Sequence, residues 1–382
     1  MAVRLKPLSE QTIVITGAAS GIGLTTARMA AEAGARVVAV ARDEAALARL
    51  VGEITAAGGR AVHVVADVSD VAAIDRAADV AVATFGRIDT WVNNAAVGVF
   101  GRVTEIALDD ARRIMDINFF GQVHGSLAAV RHLQQRRAAA DGSGRDAYGM
   151  ALVNVGSTES DQPLPLHSYY AASKHALKGF TTALRMELEE AGLPISVTLV
   201  KPGSIDTPFL QHARNYMAKE GNYPPPVYAP EVVARAILYA ATHPSRDLFA
   251  GGGGWMLSAA GRFAPRLTDR VMERTMFRKQ QQDVPPDGRD ALRSPGAYGG
   301  QARGTYPGTV RGTSLYTAAE LHPVATKLAL VAVAAAGAGA AVLALGAGSG
   351  RARKTPATLK QAAPRATTAV ARRLAKARQI AR

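Results

Sequence analysis

Residues 16–23 read TGAASGIG, and they lie between a β-branched run, Thr12–Thr16, and an Ala-rich segment with helical periodicity, Ile22–Ala33. Glycines at these spacings allow a tight turn, a close approach of the backbone to a pyrophosphate and packing of a helix on a sheet. The free N–H groups at the start of the helix then attract the phosphates. An ordinary strand-to-helix turn is the alternative for the glycines alone, but the flanking strand and helix favour a dinucleotide site. The residues predicted to hold the cofactor here are Gly17, Ser20, Gly21, Ile22 and Gly23.

Apolar runs and helical segments alternate from this point to about residue 250. The further strand-like runs are Arg36–Val40, Ala61–Val65, Ile88–Val92, Ala151–Val155 and Ile195–Val200. Such alternation predicts a parallel sheet with helices on both faces, and continuous apolar runs are typical of strands that are covered on both sides. The sequence therefore predicts an α/β fold, a Rossmann-type doubly wound parallel sheet. It forms a single catalytic domain over residues 1–260, followed by a C-terminal extension.

The extension falls into four segments. Residues 261–279 predict an amphipathic helix, and residues 280–323, rich in Pro and Gly and without periodicity, predict a disordered linker. Residues 324–349 are apolar, and residues 350–382 form a tail with ten Lys or Arg and no acidic residue.

Charge and cysteine content exclude several classes of function. The chain has 382 residues and a net charge of +14, but residues 1–349 hold 35 basic and 31 acidic side chains and so carry only +4. The main body therefore has no electrostatic support for specific nucleic-acid binding. The chain contains no cysteine, which excludes disulfides, thiolate metal sites and a cysteine nucleophile.

The residues after the second strand bear on the choice of cofactor. An acidic residue at position 41 would accept hydrogen bonds from the ribose 2′-hydroxyl of NAD, but this position is Ala41. Arg42 follows and can pair with a 2′-phosphate, so the sequence predicts NADP(H) in preference to NAD(H). The alternative is that Arg42 is a solvated residue at the start of a helix, for which Asp43 is the predicted N-cap.

Polar or small residues also follow the other strands, at the edge where a parallel sheet binds its ligands. Asp67-Val68 can contact an adenine, and Asn93-Asn94-Ala95-Ala96 follows the fourth strand. We expect the two asparagines to tie adjacent strands together through side-chain to backbone hydrogen bonds. The further predicted cofactor contacts are Asp67, Val68, Asn94, Ala95, Pro202 and Gly203.

Tyr170 and Lys174 are four residues apart and so lie on one face of a helix. A tyrosine hydroxyl has an ordinary pKa of about 10, and a nearby ammonium would favour the phenolate and lower that value. Such a pair alone is equally typical of a surface helix. Ser157, just past the fifth strand, and Asn118, on the helix before it, bring further polar groups to the same edge of the sheet.

Taken together, these motifs resemble the classical short-chain dehydrogenase/reductase family over roughly residues 10–260. The matching pieces are TGAASGIG at 16–23, NNAA at 93–96, Asn118, Ser157, YAASK at 170–174 and Pro202-Gly203. The chain departs from the family at Ala96, where a glycine is usual.

The resemblance implies roles for four catalytic residues. Tyr170 would donate a proton to a carbonyl oxygen in reduction, or accept one in oxidation, and Ser157 would hold that oxygen. Lys174 would lower the tyrosine pKa and bind the nicotinamide ribose. Tyr170, like Lys174, would also contact the cofactor. Asn118 would position a water that links Lys174 to solvent. The resemblance further implies a homo-oligomer and no metal.

Two functions from different classes remain. The first is an NADP(H)-dependent oxidoreductase that transfers a hydride between nicotinamide and a carbonyl or secondary alcohol. The second is a non-catalytic dinucleotide-binding sensor or scaffold tethered by the basic tail. The intact catalytic set favours the first.

The small-molecule substrate is bulky and apolar if the segment Ile205–Tyr228 closes over the site. This segment supplies Phe209, Leu210, Tyr216, Met217, Tyr223 and Tyr228. The alternative is that these residues only pack the segment onto the domain.

The location of the chain depends on its C-terminal part. The N-terminus has no apolar run long enough for a signal peptide, which predicts a cytoplasmic catalytic domain. Leu328–Leu345 is eighteen residues without a charge and predicts association with a membrane, and the basic tail can bind anionic lipid. A span, an interfacial segment and a soluble Ala-rich helix all remain open.

Overall fold

The computed structural model describes residues 3–139, 148–324 and 326–328. The chain divides into two units, Met1–Pro323 and Val324–Arg382. Of the second unit only residues 324 and 326–328 are described, and the named strands and helices all belong to the first.

Strands and helices alternate through the first unit. The strands within the described residues are β1 (Thr12–Thr16), β2 (Arg36–Ala41), β3 (Arg60–Val65), β4 (Thr90–Asn93), β5 (Val99–Phe100), β6 (Met150–Val155), β7 (Ile195–Pro202), β8 (Ser204–Ile205), β9 (Arg214–Asn215), β10 (Val227–Tyr228), β11 (Asp247–Ala250) and β12 (Val310–Arg311). The α-helices are α1 (Gly21–Glu32), α2 (Glu44–Ala56), α3 (Val71–Phe85), α4 (Leu108–Met115), α5 (Gly121–Ala139), α6 (Ser168–Glu190), α7 (Pro230–Ala240), α8 (Gly252–Phe263), α9 (Pro265–Lys279) and α10 (Leu315–Leu321). A π-helical turn, Asp116–Phe120, joins α4 to α5.

Helix ends follow local chemistry. The Asp43 carboxylate accepts a hydrogen bond from the Ala46 backbone N–H at 2.9 Å and caps α2, which confirms its predicted role. Asp70 caps the start of α3 in the same way. Gly86 follows the last residue of α3 with a left-handed φ of 81°, a conformation that glycine adopts at little energetic cost. These signals keep the helices short and return the chain to the sheet.

Seven strands form one sheet in the order β11-β7-β6-β4-β1-β2-β3, with all neighbours parallel. Every residue of β1, β4, β6 and β7 is buried, as expected for strands with helices on both faces. The predicted doubly wound fold is therefore confirmed. The strand order reverses between β1 and β4, and open sheets of this kind bind ligands at the carboxyl ends of the strands at that point.

Apolar residues form a separate core on each face of the sheet. Side chains of α3, α5 and α6, such as Ile74, Leu133 and Leu184, pack on one face. Side chains of α1, α2 and α7 pack on the other, Leu24 and Ile237 among them. The two cores hold the strand ends in a fixed relation, which is the condition for a precise site at the sheet edge.

The two asparagines at the carboxyl end of β4, Asn93 and Asn94, tie strands together, as predicted. The Asn94 side chain donates to the Thr16 carbonyl on β1 at 2.9 Å. The fully buried Asn93 donates to the Asn154 side chain on β6 at 2.9 Å and to the Gln122 carbonyl on α5 at 3.1 Å. The strands β1, β4 and β6 are therefore joined by side-chain hydrogen bonds as well as by the backbone hydrogen bonds of the sheet.

Residues 280–323 are not the unstructured linker that the sequence suggested. They belong to the first unit, where β12 pairs with β10 and Leu292 and Leu321 join the two cores. The segment crosses the domain mostly without regular secondary structure and buries single side chains, so it leaves no periodic pattern in the sequence. The structural unit consequently runs beyond the expected boundary at 260, and α9 lies within the segment predicted as helical.

Among the described residues, no helix is long and apolar enough to cross a membrane. The predicted apolar segment 324–349 and the basic tail 350–382 lie, beyond residue 328, outside the described residues.

Candidate active site

The glycine-rich loop joins β1 to α1 at the carboxyl edge of the sheet. Gly17 and Gly21 have φ values of 70° and 53°, which side chains disfavour. A Cβ on Gly23 would lie 2.2 Å from the Gly17 carbonyl oxygen, so only glycine lets α1 pack against the loop. Gly17, Ser20, Gly21 and Ile22 line a cleft, and Gly23 packs beneath them. The cradle fits the phosphates of a dinucleotide.

Other predicted cofactor residues line the same cleft. They are Arg42, Asp67, Val68, Asn94, Ala95, Tyr170, Lys174, Pro202 and Gly203. The cleft runs from the end of β2 across the strand-order reversal to β7, so it is long enough in the sheet direction to accept both halves of a dinucleotide.

Arg42 is held in place rather than solvated. Its side chain is 22% exposed and lies 3.8 Å from the Asp67 carboxylate. Its guanidinium donates to the backbone carbonyls of Ala291 and Leu292, and burial lowers its pKa. Asp67 is also paired with Arg113. The cation that could meet a 2′-phosphate is therefore present, but it has partners from the C-terminal segment.

Three of the predicted catalytic side chains meet in the cleft. Tyr170 and Lys174 lie on α6 and are almost fully buried, and Ser157 follows β6. The Lys174 Nζ donates to the Val155 carbonyl at 2.9 Å and lies 5.7 Å from the centroid of the Tyr170 ring. The Ser157 hydroxyl accepts from the Glu159 backbone N–H at 3.0 Å, which fixes its direction.

Asn118 lies behind the cleft and not in its wall. It stands in the π-helical turn, and its side chain accepts from the Val97 N–H at 2.8 Å and donates to the Val97 carbonyl at 2.9 Å. It also donates to the Ser173 hydroxyl at 3.2 Å. The side chain thus joins the loop after β4 to α6 beside Tyr170, and π-helical turns are common at functional sites.

Burial shifts the pKa values of Tyr170 and Lys174. It raises the pKa of Tyr170 above the usual value, an effect to which the Glu159 charge adds and which the hydrogen bond with Ser157 opposes. Burial also lowers the pKa of Lys174 to about 7, against a smaller opposite effect of Glu159. The pKa of Tyr170 is thus raised where the sequence led us to expect a lowering by Lys174, because burial of the hydroxyl has the largest effect.

A buried acid–base pair next to Tyr170 was missed by the sequence analysis. His167 Nδ1 lies 2.9 Å from the Glu159 Oε1, and its Nε2 lies 2.9 Å from the Gln280 side-chain nitrogen. The His167 ring also stacks on Phe100 with 4.2 Å between centroids. No local pattern identifies this group, since Gln280 lies 113 residues away along the chain.

The segment 205–228 divides its large side chains between two tasks. Phe209, Leu210 and Tyr223 line the cleft. Tyr216 instead donates to the Asp110 carboxylate at 2.8 Å, and Met217 and Tyr228 are buried in apolar clusters. Both alternatives left open by the sequence therefore apply, each to different residues.

Comparison with known proteins agrees with this architecture. The short chain dehydrogenase family model matches residues 11–218. An uncharacterized oxidoreductase of Bacillus subtilis, YxnA, is 46% identical over 327 residues, which is 85% of this chain and 89% of that protein. The 1-deoxy-11-beta-hydroxypentalenate dehydrogenase of Streptomyces avermitilis is 38% identical over 205 residues, 53% of this chain and 71% of that protein.

A solved structure shares the fold. The alcohol dehydrogenase of the archaeon Thermococcus sibiricus, complexed with 5-hydroxy-NADP, has a TM-score of 0.53 and 22% identity over 63% of this chain and 95% of that chain. The resemblance inferred from the motifs is confirmed: the chain belongs to the short-chain dehydrogenase/reductase family. It is an oxidoreductase of that type.

Proposed function

We propose that the chain is an NADP(H)-dependent oxidoreductase that transfers a hydride between nicotinamide and a carbonyl or secondary alcohol. One observation carries the proposal: Tyr170, Lys174 and Ser157 line the same cleft as the glycine-rich loop. A proton-transfer group and a dinucleotide cradle in one cleft are what such a reaction requires.

The nicotinamide, when bound, supplies or accepts the hydride. Tyr170 donates a proton to the carbonyl oxygen in reduction and takes it back in oxidation. The hydroxyl is protonated at neutral pH, as a donor has to be, and because burial raises its pKa its proton transfer depends on positive charge beside it in the reacting complex. Ser157 holds the same oxygen by a hydrogen bond. Lys174 binds the ribose, and Asn118 acts as a positioning residue that fixes the backbone beside α6.

The preference for NADP(H) rests on the end of β2. Position 41 has no carboxylate to accept from a ribose 2′-hydroxyl, and Arg42 lines the cleft. A charge-assisted pair with a 2′-phosphate is worth roughly 1.5–3 kcal/mol, or one to two decades in affinity. We expect Arg42→Ala to remove much of the difference between the dissociation constants of NADPH and NADH. Equal affinities in the unmodified protein would contradict the preference.

The substrate we infer is a bulky apolar alcohol or carbonyl compound. The part of the cleft next to Tyr170 is lined by Phe100, Phe209, Leu210 and Tyr223, and aromatic side chains favour large apolar ligands. The relative from Streptomyces avermitilis is named for a hydroxylated substrate, in line with an alcohol as one reactant.

Adjacent tyrosines provide the test of the mechanism. Turnover is followed optically with NADPH and NADP⁺ on a panel of carbonyls and alcohols. We expect Tyr170→Phe to abolish turnover while cofactor binding remains, because the ring stays and only the proton donor is lost. Tyr169→Phe is the matched control and should keep its activity. More than a small residual activity in Tyr170→Phe would remove this residue from the mechanism.

A further inference from the structure

A stretch of the C-terminal segment lies across the cofactor cleft. Residues 290–301, here called the strap, read DALRSPGAYGGQ. Four of them line the cleft, and they are Ala291, Pro295, Gly296 and Gly299. The strap thus provides an outer wall to a cleft whose inner wall is the sheet edge.

One end of the strap is anchored near β2. The buried Leu292 joins the core, and its carbonyl accepts from Arg42 at 3.4 Å and from Arg113 at 3.3 Å. The Arg293 guanidinium donates to the Asp110 carboxylate at 2.7 Å. This anchor includes hydrogen bonds from Arg42, the cation that our proposed function assigns to the 2′-phosphate.

The other end is anchored on the glycine-rich loop. The Gly300 N–H donates to the Ala19 carbonyl at 2.8 Å, and the Gly21 N–H donates to the Gln301 carbonyl at 2.9 Å. Gly21 also belongs to the predicted phosphate cradle. The strap therefore spans from the loop to the end of β2, which is the adenosine half of a dinucleotide site in this fold.

The glycines of the strap and the small number of hydrogen bonds to the loop make a change in the strap's position inexpensive. Gly296, Gly299 and Gly300 restrict the backbone little, and the Gly300 φ of 86° is favourable only for glycine. The anchor on the loop consists of two backbone hydrogen bonds, each worth about 0.5–1.5 kcal/mol. The free energy of binding a dinucleotide is larger than the cost of breaking these two hydrogen bonds.

We propose that the strap is a movable wall of the cofactor site, which closes over the adenosine half of a bound nicotinamide dinucleotide and has to lift for the cofactor to enter or leave. This inference rests on the proposed function, since it takes the cleft to be a dinucleotide site. The Arg42 guanidinium has further N–H groups for a 2′-phosphate beside the strap carbonyls that it already contacts, so the closed strap also takes part in the choice between the two cofactors.

A disulfide lock tests the proposal, because the chain has no cysteine of its own. A Cβ on Gly299 would lie 3.1 Å from the Ala46 Cβ on α2, near the separation of about 3.5–4.5 Å that a disulfide spans. The Asp43 carboxylate, 1.9 Å from the same point, has to turn aside. The single variant Gly299→Cys carries this crowding without the bridge and is the matched control.

Association and release of NADPH and NADH are then followed by stopped-flow fluorescence. We expect oxidised Ala46→Cys/Gly299→Cys to exchange cofactor at least tenfold more slowly than its reduced form. The reduced form and the control should match each other. Exchange within twofold in the oxidised and reduced forms would overturn the strap's role. Absence of nicotinamide dinucleotide binding in the unmodified chain would instead overturn the proposed function, and the strap's role with it.

Amide hydrogen exchange on the unmodified chain tests the closure of the strap without an engineered disulfide. The strap amides, that of Gly300 included, should exchange more slowly with NADPH bound, because the closed strap is then favoured. Unchanged exchange in the strap with saturating NADPH would show that the strap does not respond to the cofactor.

Discussion

Replacing Leu292 by Ala removes a side chain that is 0% exposed although it lies in the proline- and glycine-rich segment. Leu292 belongs to the core that packs under α3 and α5. The smaller side chain leaves a cavity there, and deletion of a buried leucine side chain costs about 2–5 kcal/mol. We therefore expect Leu292→Ala to be one of the most destabilising single changes in the C-terminal third of the described chain.

The expected change in melting temperature follows from the size of the cooperative unit. An unfolding entropy of about 2.1 cal/mol/K per residue, over the 323 residues of the first unit, gives about 0.7 kcal/mol/K. A loss of 2–5 kcal/mol then lowers Tm by about 3–7 °C. Thermal melting followed by circular dichroism measures this shift.

Leu315→Ala is the control for Leu292→Ala. Leu315 opens α10 and is 90% exposed, so its truncation should change stability by less than about 0.5 kcal/mol. The reasoning fails if the two variants melt at the same temperature. In that case Leu292 would not be enclosed, and the segment would be the unstructured linker that its composition suggests.

Three further predictions concern the chain end, the sheet and the buried lysine. A chain ending at Pro323 should keep its fold and cofactor binding, whereas a chain ending at Lys279 should be insoluble or lose binding, as solubility and cofactor titration would reveal. Asn93→Ala should lower the free energy of unfolding by about 3 kcal/mol or more, because it leaves the Trp91 indole N–H and other buried partners unpaired; an unchanged denaturant midpoint would refute this. Burial lowers the pKa of Lys174 from 10.5 to about 7. The free-energy cost of burying this lysine is therefore greatest below pH 7, where it is charged in both the folded and the unfolded chain, and disappears above pH 10.5, where it is neutral in both. Stability should therefore rise with pH between these values, and Lys174→Met should flatten that rise in midpoints measured from pH 7 to 10.

Tyr170 and Lys174 share one buried electrostatic setting. Burial favours the neutral forms of both Tyr170 and Lys174 in the cofactor-free cleft. The Glu159 carboxylate, which contacts His167, acts on both pKa values: it adds to the rise for Tyr170 and opposes the fall for Lys174. The pKa values of Tyr170 and Lys174 therefore depend in part on Glu159, which lies outside the Tyr–Lys motif.

Local pattern was sufficient for the architecture. The strand runs, the capping residue Asp43 and the loop at 16–23 each act through contacts within one turn or one strand–helix unit. Parallel pairing then follows, since successive strand–helix units wind in one direction and place all carboxyl strand ends on one edge. For the same reason the sequence could predict that Ser157, Tyr170 and Lys174 would share a cleft.

The sequence by itself thus determined the doubly wound sheet and the edge of that sheet at which Ser157, Tyr170 and Lys174 meet. Only the tertiary structure decided the partners of Arg42, since Ala291 lies 249 residues further along the chain. It alone joined His167 to Gln280 and turned a linker-like segment into a wall of the cleft. The physical reason is that such contacts use backbone carbonyls and single buried side chains, which any composition can supply and which impose no period on the sequence.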